Sequence, residues 1–507
     1  MPELTLTGHD LTLKTVRDFT GAPKAAALGD DARTNMQHSV DAVGKAVAAG
    51  EPRYGINTGF GAFANQRISV EQVRELQYNL VRSHACGVGA PLPAHLVRRV
   101  MLLKANSLSV GFSGIRPAVV DTLLALLNHD VLPIIPGRGS VGASGDLAPL
   151  AHLALALIGE GEAMHGGKEL AGEALLAAAN TSAVELGAKE GLALLNGTQV
   201  SAALAMEGAF RLDVLLRTAI VAGALTVEGL AGSYSPFDAR VHEARRLPGQ
   251  IRVARLFRRM LTNSEIHNSH TGCDRVQDPY AVRCMPQVFG AVMDTLEHAA
   301  RTLELECNSV SDNPLIFGDD VISGGNFHAE PLAFVADFMG IAAAELGSIS
   351  ERRTDLLVRR VNPGLTMFLT EQPGVESGFM MAHVTAAALA SENKTLAHPA
   401  SVDSIPTSAG QEDHVSMAPW AGHKLLAICD NLAFILAIEL LGAAHAIDSQ
   451  RPLGTTPELE AVHAIIRSEI SLNKKDHRLD KDMAAVTALV NSGIIAEQLP
   501  GGSLIGG

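Results

Sequence analysis

The sequence predicts a mainly α-helical fold, with a core of long bundled helices and a smaller α+β part at the N-terminal end. Long apolar stretches with helical spacing fill the second half, strand signals are few, and only 4% of the 507 residues are aromatic. No fixed-period repeat and no low-complexity linker divides the chain. We expect an N-terminal active-site region over residues 1–200 and a helical region over 201–507, with an approximate boundary.

Long segments of the second half justify the bundle. Each repeats apolar residues at intervals of three or four and lacks an internal Gly/Pro cluster. Several are apolar on all sides and rich in alanine and glycine, which lets neighbouring helices approach closely. Since such helices must be covered all round, we expect association of subunits as well as a bundle. The segments are residues 202–230, 331–357, 376–396 and 416–447.

One hairpin and one membrane-like segment complete the elements. Short apolar runs at 315–317 and 321–323 flank a Gly-Asp-Asp turn, which predicts an antiparallel hairpin. Residues 425–447 form the most membrane-like segment, but Asp430, Glu439 and His445 would be costly in lipid. We therefore predict a buried helix there and no membrane partner.

Composition and charge narrow the classes of function. Hydrophobic residues make up 47% of the chain and charged residues 19%, which is typical of a globular protein. The formal net charge of −14 argues against a nucleic-acid partner, since a phosphate backbone needs a basic surface. The N-terminus lacks the pattern of a secretory signal peptide. We expect a cytoplasmic protein without disulfide bonds or a metal site, because its cysteines are scattered and odd in number. They are Cys86, Cys273, Cys284, Cys307 and Cys429.

The stretch "GRGSVGASGDLAPL", residues 137–150, is unusually rich in small residues. Its glycines spell G-x-G-x-x-G, but two prolines interrupt the preceding strand and Asp146 would place a negative charge at the phosphate site. A G-x-S-x-G nucleophile elbow is also excluded, because the spacing around Ser144 is wrong. We expect Asp146 to cap the helix that begins at Leu147. A cap alone does not explain the run of small residues.

Ala143-Ser144-Gly145, followed by "DLAPL", resembles the signature of the aromatic amino acid ammonia-lyases. The resemblance implies that the Gly145 nitrogen attacks the Ala143 carbonyl carbon with loss of water, and that the Ser144 side chain dehydrates. The product is 4-methylidene-imidazol-5-one (MIO), formed autocatalytically without an external cofactor. The residue types suit this chemistry, because Gly145 has no Cβ, Ala143 is small and Ser144 carries the leaving group.

Further blocks of the sequence resemble the same family in its own order, from residue 54 to residue 417. The resemblance also implies a homotetramer with a core of long helices, whose active sites combine residues of more than one subunit. The blocks are "YGINTGFGAFA" (54–64), "SHACGVG" (83–89), "LLNGTQ" (194–199), "VQDPYAVRCMPQV" (276–288), "SDNPLIF" (311–317), "SGGNFHAEP" (323–331), "SENK" (391–394) and "QEDHVSM" (411–417).

The resemblance assigns roles to residues that would otherwise be ordinary core or surface side chains. Tyr54 is the candidate acid/base, a role that needs a phenol pKa lowered by its surroundings. Tyr280 would help to close the pocket, and Arg283 would bind the substrate carboxylate through both of its terminal nitrogens. Asn196 would donate to the carboxylate or to the MIO carbonyl. Phe327 would pack beside the MIO.

His84 and Glu412 bear on the substrate. Phenylalanine-specific members have Phe-Leu, and tyrosine-specific members His-Leu, where this chain has Ser83-His84. Glu412 resembles the residue that faces an imidazole ring, and a phenyl ring would leave its carboxylate unpaired. We therefore expect elimination of ammonia from L-histidine to give trans-urocanate. His383 departs from the family pattern, which has Gln there.

Other functions stay open at this stage. A lyase or aminomutase acting on tyrosine or phenylalanine would share the same motifs. The related fumarase/aspartase type eliminates without MIO, but the Ser-Ser loop that it needs is missing from the sequence. An inactive helical scaffold would keep its full mass, whereas MIO formation removes two waters, about 36 Da.

Overall fold

Helices dominate the computed structural model, which describes residues 4–270, 275–473 and 475–505. This confirms the predicted fold class. Cys273 lies outside the described residues. The helices that begin before residue 196 are 6 to 20 residues long. They are α1 (Leu13–Thr20), α2 (Asp30–Ala49), α3 (Val73–His84), α4 (Ala94–Ser109), α5 (Pro117–Asn128), α6 (Leu147–Leu157), α7 (Glu173–Ala178) and α8 (Glu190–Leu195).

The helices that follow include the four long predicted ones, which are confirmed as α9, α15, α16 and α17. The whole set is α9 (Gln199–Gly229), α10 (Ala239–Arg245), α11 (Pro248–Met260), α12 (Glu265–Ser269), α13 (Tyr280–Arg283), α14 (Met285–Cys307), α15 (Glu330–Val358), α16 (Met380–Leu396), α17 (Ala418–Asp448), α18 (Pro457–Glu469) and α19 (Leu479–Ser492).

The strands are short and form small sheets. A parallel pair joins β1 to β2, antiparallel pairs join β3 to β5 and β8 to β9, and β6 lies between β4 and β7. The β8–β9 pair is the predicted hairpin. The bounds are β1 (Leu4–Leu6), β2 (Ala26–Leu28), β3 (Val88–Pro91), β4 (Leu132–Pro133), β5 (Pro136–Arg138), β6 (Glu162–His165), β7 (Lys168–Ala171), β8 (Leu315–Phe317) and β9 (Asp320–Ile322).

The core lies where α9, α15 and α17 pack together. Helix α9 is buried along most of its length, as its apolar and small residues predict. A buried ion pair links α15 to α17: Arg353 donates to both carboxylate oxygens of Glu439, at 2.6 and 2.7 Å. Thr226 and Ser350 donate to the same carboxylate. These bonds satisfy charges that would be costly to bury alone.

Helices α15 and α17 are long and apolar enough to cross a membrane, judged by length and composition alone. Their most apolar windows are 67% and 72% buried among other helices. Such burial is typical of core helices, and it supports the prediction made for residues 425–447.

Candidate active site

One cavity of about 1280 Å³ brings together residues that are far apart in the sequence. The loop after β5, the end of α3, the end of α8 and the segments before α15 and α17 all contribute to its walls. Most of the predicted site residues line it, which supports one shared site. Those residues are Tyr54, His84, Ala143, Ser144, Asn196, Phe327 and Glu412.

The loop that holds Ser144 is locked against a second backbone segment. Gly145 has φ +71°, and a Cβ there would lie 2.2 Å from the Gly197 carbonyl oxygen. The next residue, Asp146, donates its N–H to that same oxygen at 2.7 Å. Only glycine permits the backbone at residue 145 to come this close to Gly197. Gly145 therefore acts in the site through its backbone atoms.

Asp146 immediately precedes α6 as predicted, but the prediction that it caps this helix is wrong. Its side chain makes no capping hydrogen bond to α6. It accepts instead from the Ser201 N–H at 2.7 Å, from the Ser201 hydroxyl at 2.9 Å and from the Ser140 hydroxyl at 2.9 Å. Burial raises the pKa of Asp146, against the lowering effect of these bonds. The carboxylate therefore joins the loop to the first turn of α9.

Ser144 faces a carboxylate that other bonds hold in place. Its hydroxyl donates to Glu412 Oε1 at 3.0 Å. The Thr407 hydroxyl donates to Glu412 Oε2 at 2.6 Å. Both oxygens of Glu412 thus have a partner. The carboxylate faces the Ser144 hydroxyl, which is the side-chain group of the tripeptide that can leave as water.

Tyr54 lies half-buried at the cavity wall, with its hydroxyl 3.5 Å from the Gly61 N–H, which donates to it. Burial raises the pKa of Tyr54, and the negative charge of Glu412 raises it further, although the Gly61 bond opposes both effects. The lowered phenol pKa that the acid/base role needs is therefore not found in this single chain. Desolvation disfavours the phenolate more than one weak donor favours it.

His84 ends α3 and presents a neutral ring to the cavity. Its Nδ1 lies 2.9 Å from the Leu80 carbonyl oxygen, to which it donates, and 3.0 Å from the Ser83 hydroxyl. Burial lowers the pKa of His84 despite this bond and the nearby charge of Glu412. With Nδ1 carrying the proton, Nε2 is left as a hydrogen-bond acceptor.

Asn196 follows α8, and its side chain has a free acceptor. The amide nitrogen donates to the Asn313 carbonyl oxygen at 3.1 Å, whereas the buried Oδ1 has no partner among the described residues. A buried unpaired acceptor at a cavity wall is expected where a further donor binds. The Asn196 backbone oxygen accepts from the Lys104 ammonium group at 2.6 Å.

Tyr280 and Arg283 do not line this cavity. They lie on α13, where the Arg283 guanidinium is 4.5 Å from the centre of the Tyr280 ring. Tyr280 is 70% exposed, and the buried Nε of Arg283 has no partner within the described ranges. A single chain therefore keeps these two predicted residues apart from the others.

Sequence reasoning missed some residues of the site. Asn313 lies in a block that resembles the family, yet its carbonyl contact to Asn196 left no signal in the sequence. Lys104 did leave one, because it interrupts the apolar run "VMLLKANSL" of α4. The departure at His383 lies away from the cavity, where its Nε2 is 2.7 Å from Glu351 Oε1.

Comparisons with known proteins give one family model and several relatives that match nearly the whole chain. The family model described as aromatic amino acid lyase matches residues 11–468. The histidine ammonia-lyase of Burkholderia orbicola is 52% identical over 98% of both chains. The crystal structure of histidine ammonia-lyase from Trypanosoma cruzi is 39% identical, covers 98% of this chain and 94% of its own, and superimposes with a TM-score of 0.90. Tyrosine aminomutase from Streptomyces globisporus is 34% identical over 98% of both chains, with a TM-score of 0.92.

Proposed function

The chain belongs to the aromatic amino acid lyase family, and we propose from this that it eliminates ammonia from L-histidine to give trans-urocanate. It is then a carbon–nitrogen lyase. One observation carries the proposal: a carboxylate, Glu412, is held against Ser144 in a cavity that also contains the neutral ring of His84. These groups suit a substrate that carries an imidazole ring.

We propose that residues 143–145 cyclise to MIO. A bond forms between the Gly145 nitrogen and the Ala143 carbonyl carbon, whose oxygen leaves as water, and the Ser144 hydroxyl leaves as a second water. The chain fits this group, because the loop is folded tightly at Gly145 and the side-chain amide of Asn196, which has a second N–H to donate, lies at the same cavity. Once formed, MIO supplies an electrophilic methylene that makes the substrate amino group a better leaving group.

The residues around the loop account for the choice of substrate. His84 Nε2 can accept from a ring N–H, and the Glu412 carboxylate can accept from the other ring nitrogen when that nitrogen is protonated. A phenyl ring would desolvate both groups without replacing their bonds with water, which costs about 1–3 kcal/mol for each group, and the single hydroxyl of a phenol could donate to only one of them. L-histidine is therefore favoured over phenylalanine and tyrosine.

Proton removal from the β-carbon needs a base at the cavity wall. We assign it to Tyr54, because its hydroxyl lies at the cavity wall. The raised pKa does not meet the requirement of a lowered one, so the phenolate is strongly basic but scarce at neutral pH. Phe327 lines the same cavity and limits the space for water around the reacting atoms.

Association of subunits would complete the site. We propose a homotetramer in which Tyr280 closes the cavity of a neighbouring subunit and Arg283 binds the substrate carboxylate there. Two observations support this arrangement: the Arg283 Nε has no partner among the described residues, and apolar side chains are exposed on α15 and α17. We also place the enzyme in the cytoplasm, in keeping with its free cysteines.

The experiment offers L-histidine, L-tyrosine and L-phenylalanine to the purified chain, identifies the products and records the intact mass. We expect urocanate and ammonia from L-histidine alone, and a mass about 36 Da below that of the translated sequence. Ser144→Ala removes the hydroxyl that leaves as the second water, so no methylene can form, and turnover is expected to fall by at least about a thousandfold. A β-amino acid product would instead indicate an aminomutase, and full mass in active protein would exclude the cyclised group.

A further inference from the structure

A buried lysine lies directly behind the cavity. Lys104 is on α4 and is only 1% exposed. Its ammonium nitrogen donates to the backbone oxygen of Asn196 at 2.6 Å. Because a buried amine is costly without a partner, this bond fixes the end of the lysine side chain and the carbonyl together.

The carbonyl that Lys104 holds belongs to a segment with two roles in the site. Asn196 presents its amide to the cavity, and the following carbonyl, of Gly197, accepts from the Asp146 N–H at 2.7 Å. Gly145 packs on that same Gly197 peptide. A rotation of the peptide between Asn196 and Gly197 would therefore move two things: the side-chain amide of Asn196 and the Gly197 backbone that contacts Gly145 and Asp146.

We propose that Lys104 is a positioning residue for this site, which holds Asn196-Gly197 against the loop of residues 143–146. It acts through Asn196 and does not touch the substrate. Two consequences follow: Lys104 supports cyclisation of the loop, and it sets the place of the Asn196 amide during turnover. This inference rests on the proposed function.

The charges around Lys104 are consistent with a positional role. Lys189 and Asp312, both buried, pair with each other at 2.6 Å, so that the second lysine is neutralised locally. Burial lowers the pKa of Lys104 to about 7, Asp312 and Asp146 raise it, and Lys189 lowers it. The amine keeps N–H groups in both protonation states, so it can donate to the carbonyl on either side of neutrality.

The test replaces Lys104 by Met, which keeps the length of the side chain and removes the donor. The full chain is analysed by intact mass, and kcat and KM for L-histidine are measured per cyclised site. We expect the share of chains that lack two waters to fall at least about threefold and kcat per cyclised site to fall about tenfold, with KM within about threefold. Lys104→Gln is the second variant, used if the Met variant does not fold. Its side chain is too short for its N–H groups to reach the Asn196 oxygen, so we expect the same result.

Lys424→Met is the matched control. Lys424 on α17 is also buried, and it bonds to Asp337 at 3.0 Å outside the cavity lining. We expect this variant to lose thermal stability but to keep the cyclised share and kcat of the wild type. Equal losses in the Lys424 variant, or folded Lys104 variants with wild-type values, would overturn the role of Lys104. Wild-type protein without urocanate formation or without the mass loss would instead refute the proposed function itself.

Discussion

At the residue scale, the cavity is organised by polar atoms whose partners are mostly fixed before any substrate binds. Glu412 accepts from Ser144 and Thr407, and His84 Nδ1 donates to Leu80. Among the described residues, an acceptor on Asn196 and one ring nitrogen of His84 have no such partner. Since buried polar groups are normally paired, these free positions mark where a ligand would make its hydrogen bonds.

Tyr54 permits a prediction on pH dependence. Its folded-state pKa is raised by burial, so the protonated phenol predominates at neutral pH and the phenolate grows about tenfold with each unit of rising pH. We expect kcat/KM for L-histidine to rise above pH 7 in the wild type. Tyr54→Phe should lose this rise and lower kcat by about a hundredfold or more.

Tyr78→Phe is the control for that profile. Tyr78 is half-buried too, but its hydroxyl donates to the Val184 carbonyl, a bond outside the catalytic set. Its profile should match that of the wild type. A Tyr54→Phe enzyme with the same rising limb and kcat within about threefold of the wild type would remove Tyr54 as the base.

At the scale of elements, the reactive loop is held between the start of α9 and the start of α17. On the α17 side, the Met417 N–H donates to the Val141 oxygen at 2.9 Å and the Ser416 hydroxyl to the Gly142 oxygen at 3.0 Å. Asp146 and Gly197 provide the contacts on the α9 side. A substitution that strains the contact with α9 or the contact with α17 should therefore displace residues 143–145, which lie between them.

Gly142→Ala tests that junction. Gly142 has φ +65°, and a Cβ there would lie 2.3 Å from the Ser416 hydroxyl oxygen. We expect destabilisation of about 1–3 kcal/mol and a smaller share of cyclised chains, measured by thermal unfolding and intact mass. Gly44→Ala, in the middle of α2 with open space around it, should raise stability slightly and leave cyclisation unchanged. Full cyclisation in Gly142→Ala would contradict this prediction, because it would show that strain at the contact with Ser416 does not affect the loop.

The elements also show what sequence reasoning can reach. Long helices such as α9 and α17 were predictable because their apolar spacing is a local property of the chain. The apolar spacing predicts a helix from residue 376, but α16 begins at Met380, because Gly378 has φ +53° and packs where a Cβ would meet the Phe368 oxygen at 2.3 Å. The cap assigned to Asp146 failed for a similar reason, since its partner Ser201 is distant in the sequence. Capping rules consider only neighbours along the chain.

At the scale of the whole molecule, two observations support the proposed association of subunits. Tyr280 and Arg283 lie outside the cavity, which no periodicity in the sequence could have indicated. Helix α15 exposes Phe334, Phe338 and Ile341 by more than two fifths each. Clustered apolar exposure of this kind is typical of an association surface. The division near residue 200 stays a prediction about folding units.

Phe338→Glu tests association and the shared site together. Phe338 stacks on Phe334 at 5.8 Å between ring centres and is 42% exposed, so a carboxylate there would be buried unpaired if α15 packs against another subunit. We expect light scattering to show smaller assemblies, and kcat/KM for L-histidine to fall at least about a hundredfold because Arg283 no longer reaches a neighbouring cavity. Met164→Glu, at a 40% exposed apolar position on β6, is the control. This variant should keep the assembly size and the activity of the wild type. A Phe338→Glu protein that stays fully active as a monomer would show that Tyr280 and Arg283 are not needed from another subunit.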